Sequence, residues 1–173
     1  MSFATTLMDP PWPEHGAGAC KRGADRHYPL IKVRDMAATI LLSGVWAPAP
    51  NAHLYMWVTN NYLPQGLRLM SDLEFRYVTN LCWVKDRSGL GQYFRGRHEL
   101  LLFGVRGDGY EVRTDRRDLD TCFGLPRGAH SAKPLDFYEH IEARSEGPYL
   151  EMFARSERPG WCGWGNQFRL EAS

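Results

Sequence analysis

The sequence predicts an α/β fold in three layers, with helices on both faces of a mostly parallel sheet. Short apolar runs alternate along the chain with segments of helical spacing, the order from which parallel sheets are built. In 173 residues, 43% are apolar and 24% charged, which suits one ordinary domain with a real core. Asp9 and Arg155 follow directly on apolar runs. That is where open sheets of this type hold ligands, beyond the carboxyl ends of the strands.

Taken in order, Phe3 to Met8 reads as a short buried strand ending at Asp9. Pro10 to Pro29 is a long loop rich in Gly, Ala and charge. Val33 to Val45 has helical spacing at Met36, Ile40, Leu41 and Val45, and His53 to Thr59 reads as a strand. Leu63 to Leu73 is helical, with Leu63, Leu67 and Met70 on one face. Tyr77 to Val84 and Leu100 to Val105 are strands, joined by a polar, Gly-rich loop from Lys85 to Arg97. Asp108 to Arg127 reads as irregular, with a short strand pair at most. Pro134 to Arg144 is a helix with Pro at its first position, where the missing N–H costs nothing. Tyr149 to Phe153 is a strand and Trp161 to Trp164 a second, shorter one.

Several classes drop out. There is no internal repeat and no low-complexity segment, so residues 1–173 read as a single domain. The formal net charge of +1 is too small for a non-specific nucleic-acid binder, so such a partner must be held by local patches. Asp9 interrupts the apolar stretch at the N-terminus, so no signal peptide is expected. No uncharged apolar run approaches the roughly 20 residues of a membrane span. Cys20, Cys82, Cys122 and Cys162 are far apart in sequence with no Cys-x-x-Cys pair. They read as free thiols of a cytoplasmic protein, and no metal site is expected.

Chemistry concentrates at Asp9-Pro10-Pro11-Trp12. The exocyclic amine of adenine is a poor nucleophile because its lone pair is delocalised into the ring. Acceptors placed on its two hydrogens draw the nitrogen towards a tetrahedral geometry and free that lone pair. Asp9 offers one acceptor, its carboxylate, and the Pro10 carbonyl offers the other. Successive prolines stiffen the segment, since each fixes its own φ and restricts the residue before it. Trp12 offers a flat face on which a base can stack, and a base in a duplex must be flipped out to reach it. The same four residues also suit a strand-to-turn exit with Asp as turn former and Trp as core filler.

With these motifs in view, the chain resembles the MT-A70 family of adenine methyltransferases, and in particular its compact bacterial and phage members. The resemblance rests on Asp9 to Trp12, His27-Tyr28-Pro29, Leu54 to Asn60, Leu81 to Lys85 and Gly91 to Gly107. It continues through His130 to Pro134, Glu151 to Arg155, Gly160-Trp161 and Trp164 to Gln167. It implies a Rossmann-like class I methyltransferase fold in circularly permuted order, with the catalytic motif before the cofactor motif. It implies S-adenosylmethionine as methyl donor. Asp9 would then contact both the target amine and the amino group of the cofactor's methionine part, and Lys133 its carboxylate. Ser131 would lie close by. Arg155, Asn166 and Gln167 would bind the ribose hydroxyls, with Glu151 supporting them and Phe153 packing against the cofactor. Tyr28 would belong to a gate loop, and Glu99 would lie near the target base. Longer relatives cover the cofactor adenine with an upstream segment, a task that falls here to the stretch after Arg155. That stretch, Ser156-Glu157-Arg158-Pro159, departs from the His-Asn found there in the messenger-RNA enzyme.

For the substrate, Lys85, Arg87, Arg95, Arg97 and Arg106, then Arg113, Arg116 and Arg117, are interleaved with Tyr93, Phe94 and Tyr110. Cations for phosphates and rings for bases suit a single-stranded or flipped-out nucleic acid, with Arg95 and Arg97 as contacts. The Lys85 to Arg97 loop suits a homodimer or heterodimer contact equally well. The expected partner is nucleic acid, DNA ahead of RNA as the resemblance to compact bacterial and phage members implies, although no short motif for the 2′-hydroxyl separates the two in the sequence itself. A non-catalytic scaffold beside an active partner is the reading from another class, and the intact tetrapeptide weighs against it.

Overall fold

The computed structural model describes residues 1–13, 31–89, 93–126 and 132–165. β1 (Phe3–Met8) lies inside the sheet, paired in parallel with β2 (Pro48–Val58) on one side and β6 (Tyr149–Met152) on the other. β7 (Trp161–Trp164) continues in parallel beyond β6. Beyond β2, β4 (His98–Arg106) is antiparallel, and β3 (Arg76–Lys85) is antiparallel to β4. β5 (Cys122–Leu125) closes that edge in parallel with β3. The seven strands therefore run in the order β5-β3-β4-β2-β1-β6-β7, with β4 reversed against the rest. One edge of the sheet gathers the carboxyl ends of β1, β2, β3 and β6 together with the amino end of β4.

The period of two along β2 sorts its side chains into two cores. Leu54, Met56 and Val58 turn to the face covered by α1 (Val33–Leu41) and α2 (Leu63–Asp72). There they meet Met36 and Ile40, one helical turn apart and both fully buried, and Leu69 and Met70 of α2. Tyr55 and Trp57 turn to the other face, where α3 (Asp136–Arg144) lays down Phe137 and Ile141. The Trp57 and Phe137 rings meet edge to face, centroids 4.7 Å apart. Helices on both faces make the three layers, and none among the described residues is long and apolar enough to cross a membrane.

His53, two residues before Tyr55, belongs to a buried polar network. Its Nε2 lies 2.7 Å from the Gly109 carbonyl and its Nδ1 2.6 Å from Ser145 Oγ, which in turn lies 2.7 Å from the Tyr55 hydroxyl. A carbonyl can only accept, so Nε2 carries the proton. In the neutral ring Nδ1 then accepts from Ser145, and Ser145 accepts from Tyr55.

Where elements differ from the sequence expectation, a local contact explains it. α1 stops at Leu41, not Val45, because the chain turns at Gly44 with φ 78°. β2 begins at Pro48, extended by its pairing with Phe3 of β1. α3 begins at Asp136 with Leu135 as its N-cap, so Pro134 precedes the helix rather than opening it. The 108–127 stretch holds a 3₁₀ turn, Gly109–Val112, and β5, which pairs with β3 rather than with a local partner.

Candidate active site

Asp9 is the residue after β1, at the edge where most strands end. The tetrapeptide it opens is folded back on itself: the Trp12 N–H donates to the Pro10 carbonyl at 2.8 Å, a three-residue turn. That carbonyl keeps its second lone pair. Trp12 departs from the expected open platform. It is 4% exposed, its ring stacks on Tyr62 at 5.7 Å, and its indole N–H donates to the Trp57 carbonyl at 2.9 Å. Tyr62 in turn donates to the Pro13 carbonyl at 2.6 Å. Trp12 is thus the bolt that fixes the tetrapeptide to the end of β2.

The charged residues of the edge form a chain. Lys133 Nζ lies 3.0 Å from Asp9 Oδ2 and 3.3 Å from Glu99 Oε2. Glu99 also pairs with Lys85. Arg155 Nη2 stands 3.7 Å from the same Asp9 oxygen. Glu99 can reach the cluster because β4 is reversed: its second residue sits at the edge where its neighbours finish. Burial alone would raise the Glu99 pKa, but the ammonium groups of Lys133 and Lys85 outweigh it and hold the carboxyl below its usual value. Burial would likewise lower Lys133, but Asp9 and then Glu99 hold it above the usual lysine value. Each lysine also lies over an indole, Lys133 5.5 Å from the Trp57 centroid and Lys85 4.9 Å from that of Trp83.

The far wall comes from β6 and the turn after it. Glu151 accepts from the Tyr138 hydroxyl at 2.8 Å, and burial pushes its carboxyl above the usual range. Phe153 has φ 64°, a left-handed conformation that aromatic residues rarely adopt, and its ring meets Trp164 edge to face. The turn is clamped by β7: Ala154 N–H donates to the Trp164 carbonyl at 2.9 Å. Gly165 fits there because a Cβ would stand 2.4 Å from the Ala154 carbonyl oxygen. The Arg158 guanidinium lies 3.5 Å from the Tyr138 ring centroid, and its buried Nε has no hydrogen-bond partner among the described residues. Asp9, Lys133, Glu151, Phe153, Arg155 and Arg158 together line one cavity of about 180 Å³, floored by Trp57 and Phe137.

A larger cleft of about 340 Å³ lies elsewhere, between Arg116 to Asp120, Phe123 and one side of α3. Its Arg116 and Asp118 pair with each other at the surface, and none of the edge cluster reaches it. Convergent charge in a half-buried setting favours the smaller cavity as the site.

Of the residues singled out from sequence, the structure brings together Asp9, Lys133, Glu99, Glu151, Phe153 and Arg155. Arg95 and Arg97 are exposed on the β3–β4 hairpin; Arg97 donates to the Lys85 carbonyl at 3.1 Å, outside the cluster. Tyr28, Ser131, Asn166 and Gln167 lie outside the described residues. Sequence reasoning counted Lys85, Trp57 and Trp83 among the stretches that carry the resemblance, and Lys85 in the basic patch, but gave none of them a cofactor-site role, and it did not single out Tyr138. The hairpin register, Trp83 opposite Glu99, is the signal that links Lys85 to Glu99.

The family model described as MT-A70 matches residues 3–167. The chain is 27% identical over 142 residues to the Type II methyltransferase M.MunI of a Mycoplasma species, which covers 80% of this chain and 58% of that protein. It is 25% identical over 186 residues to the human N(6)-adenine-specific methyltransferase METTL4, covering 96% of this chain and 37% of that one. It is 28% identical over 181 residues to the N6-methyladenosine RNA methyltransferase MTA1 of Cryphonectria parasitica, covering 95% and 51%. The chain thus spans between 37% and 58% of the length of these curated relatives.

Proposed function

The chain belongs to the MT-A70 family, and on that premise we propose that it methylates the 6-amino group of adenine in DNA. The observation that carries this reading is the meeting of Asp9, Lys133 and Arg155 on one cavity wall at the end of β1. S-adenosylmethionine supplies the methyl group as an electrophile on a sulfonium sulfur. The residues present suit it. Lys133 is the cation for its carboxylate, while Asp9 and Arg155 offer an acceptor and a donor. The buried Nε of Arg158, without a hydrogen-bond partner among the described residues, would be a donor for the nucleoside end. Glu151 and Phe153 would support the ribose side; the cofactor roles that the resemblance implies for Ser131, Asn166 and Gln167 fall outside the described residues.

For the target amine, Asp9 accepts one N–H and the remaining lone pair of the Pro10 carbonyl accepts the other. The turn closed by Trp12 holds that carbonyl in place, so both acceptors are fixed before the base arrives. Methylation leaves a surplus proton on the nitrogen, and Asp9, already its acceptor, is the group on hand to take it. The β3–β4 hairpin rises from the same edge and carries exposed Tyr93 and Phe94 beside Arg87, Arg95 and Arg97. Such a tip suits a strand of nucleic acid, with each base–aromatic stack worth about 1–3 kcal/mol. RNA is the second reading, favoured by the relative named as an RNA methyltransferase.

The test is to incubate the protein with S-adenosylmethionine and, separately, duplex DNA, single-stranded DNA and RNA. Nucleosides are then scored for N(6)-methyladenine by mass spectrometry. Product is expected on DNA, and Asp9→Ala should cut it by roughly a thousandfold, about 4 kcal/mol of barrier. Product on RNA alone moves the substrate to the second reading. No product on any substrate, with no cofactor binding, removes the enzymatic reading.

A further inference from the structure

Lys85 ends β3 and belongs to the charged chain, yet it takes no part in the chemistry just described. It pairs with Oε1 of Glu99, while Lys133 takes Oε2 at 3.3 Å. One carboxylate is thus divided between two cations, an oxygen to each. All three side chains are largely shielded, Lys85 at 15% exposure and Glu99 and Lys133 both at 17%. The two indoles beneath the lysines, Trp83 and Trp57, pack edge to face at 6.1 Å, so the whole arrangement stands on a rigid floor. A shielded carboxylate left with a single cation attracts that cation with its whole charge. With Lys85 removed, Glu99 is left with Lys133 alone, and the attraction that balances Asp9 becomes one-sided. Lys133 now stands slightly closer to Asp9, at 3.0 Å, than to Glu99.

We propose that Lys85 is a positioning residue: acting through Glu99, it keeps the Lys133 ammonium beside Asp9, where the cofactor carboxylate is received. This rests on the methyltransferase reading above, and the experiment separates the two. Binding of S-adenosylhomocysteine is measured by calorimetry, and steady-state kinetics are run with S-adenosylmethionine. The proteins are the wild type, Lys85→Met, Lys85→Arg, Glu99→Gln and the Lys85→Met/Glu99→Gln double variant. Lys85→Met is expected to weaken binding and raise KM for the cofactor about tenfold, the size of one coupled contact, with a smaller change in kcat. Lys85→Arg keeps the charge and should stay within about threefold of wild type. The double variant should lose no more than Glu99→Gln alone, because Lys85 works only through that carboxylate.

Unchanged binding in Lys85→Met overturns the proposal, as does a double variant whose loss multiplies the two single losses. A wild type that binds the homocysteine product and methylates adenine, beside an unaffected Lys85→Met, overturns Lys85 alone. A wild type that does neither overturns the methyltransferase reading and this proposal with it. Thermal melting checks each variant for folding. Lys85→Gln, uncharged and polar, is judged by the same outcomes if Lys85→Met fails to fold.

Discussion

Both ring nitrogens of His53 are occupied and Nδ1 accepts the Ser145 proton, so protonating the ring would leave that hydroxyl proton without its acceptor. Burial first, and then the Arg144 and Arg113 guanidiniums, hold its pKa below the usual histidine value against the Gly109 hydrogen bond. The folded pKa is the lower one, so the unfolded chain binds more protons between the two values. The stability this contributes is complete above about pH 6.5 and is lost as pH falls towards the folded value. Urea unfolding at pH 7.5 and 5.5 should show the fall, up to about 1.4 kcal/mol per pH unit, and His53→Gln should flatten it while lowering stability at both. Trp12 makes a second prediction. Trp12→Phe keeps a ring against Tyr62 but strips the donor from the buried Trp57 carbonyl, so it should cost about 1–3 kcal/mol in denaturant unfolding. Asp9 was legible in the sequence because a charge that ends an apolar run stands out, and Lys133 through the family resemblance. The burial of Trp12 was not, because a Trp after two prolines reads the same whether open or covered. What decides it is the end of β2, 45 residues away in sequence.

At the scale of elements, the alternation of runs located every strand and α-helix among the described residues apart from β5. Their ends and directions come from pairing, which local pattern does not carry. Nothing in His98–Arg106 marks β4 as reversed, yet that reversal delivers Glu99 to the site. β5 is four residues long and has no pattern of its own; the open edge of β3 makes it a strand. The junction of β6 and β7 is the element-level weak point. Gly165 lets the chain pass against the backbone of Ala154, and a Cβ there would meet main-chain atoms at 2.4 and 2.8 Å, which no side-chain rotation relieves. Gly165→Ala should therefore destabilise by about 1–3 kcal/mol and displace the turn carrying Phe153 and Arg155. A calorimetric affinity for S-adenosylhomocysteine lowered beyond what the loss of stability explains would show that displacement.

Across the whole molecule, two cores share one sheet, and the site is lined by Leu7 and Trp57 of one core and by Phe153, which packs against the other. β1 has β2 on one side and β6 on the other, so its carboxyl end opens between chain segments that leave in opposite directions, the usual place for a ligand in such sheets. A ligand held there touches both halves and should stabilise the whole. At about a hundredfold excess over its Kd, S-adenosylhomocysteine should add about 2.7 kcal/mol, raising Tm by roughly 5–10 °C. No shift in a melting curve at saturating concentration would contradict this.

The pairing of Asp9 with Lys133 bridges 124 positions of sequence. It therefore has a consequence in time. On the ribosome, at about 5–20 residues per second, the first strand is made early and then waits while β2, β3 and β4 emerge. Its other neighbour, β6, follows only with Tyr149–Met152. The carboxylate of Asp9 gains Lys133 before β6 is made and Arg155 only after it, and until β6 arrives one edge of β1 is open. A nascent chain that has made β1 to β4 can thus hold most of its sheet while having no site, and the pocket closes only once β6 and Arg155 have emerged.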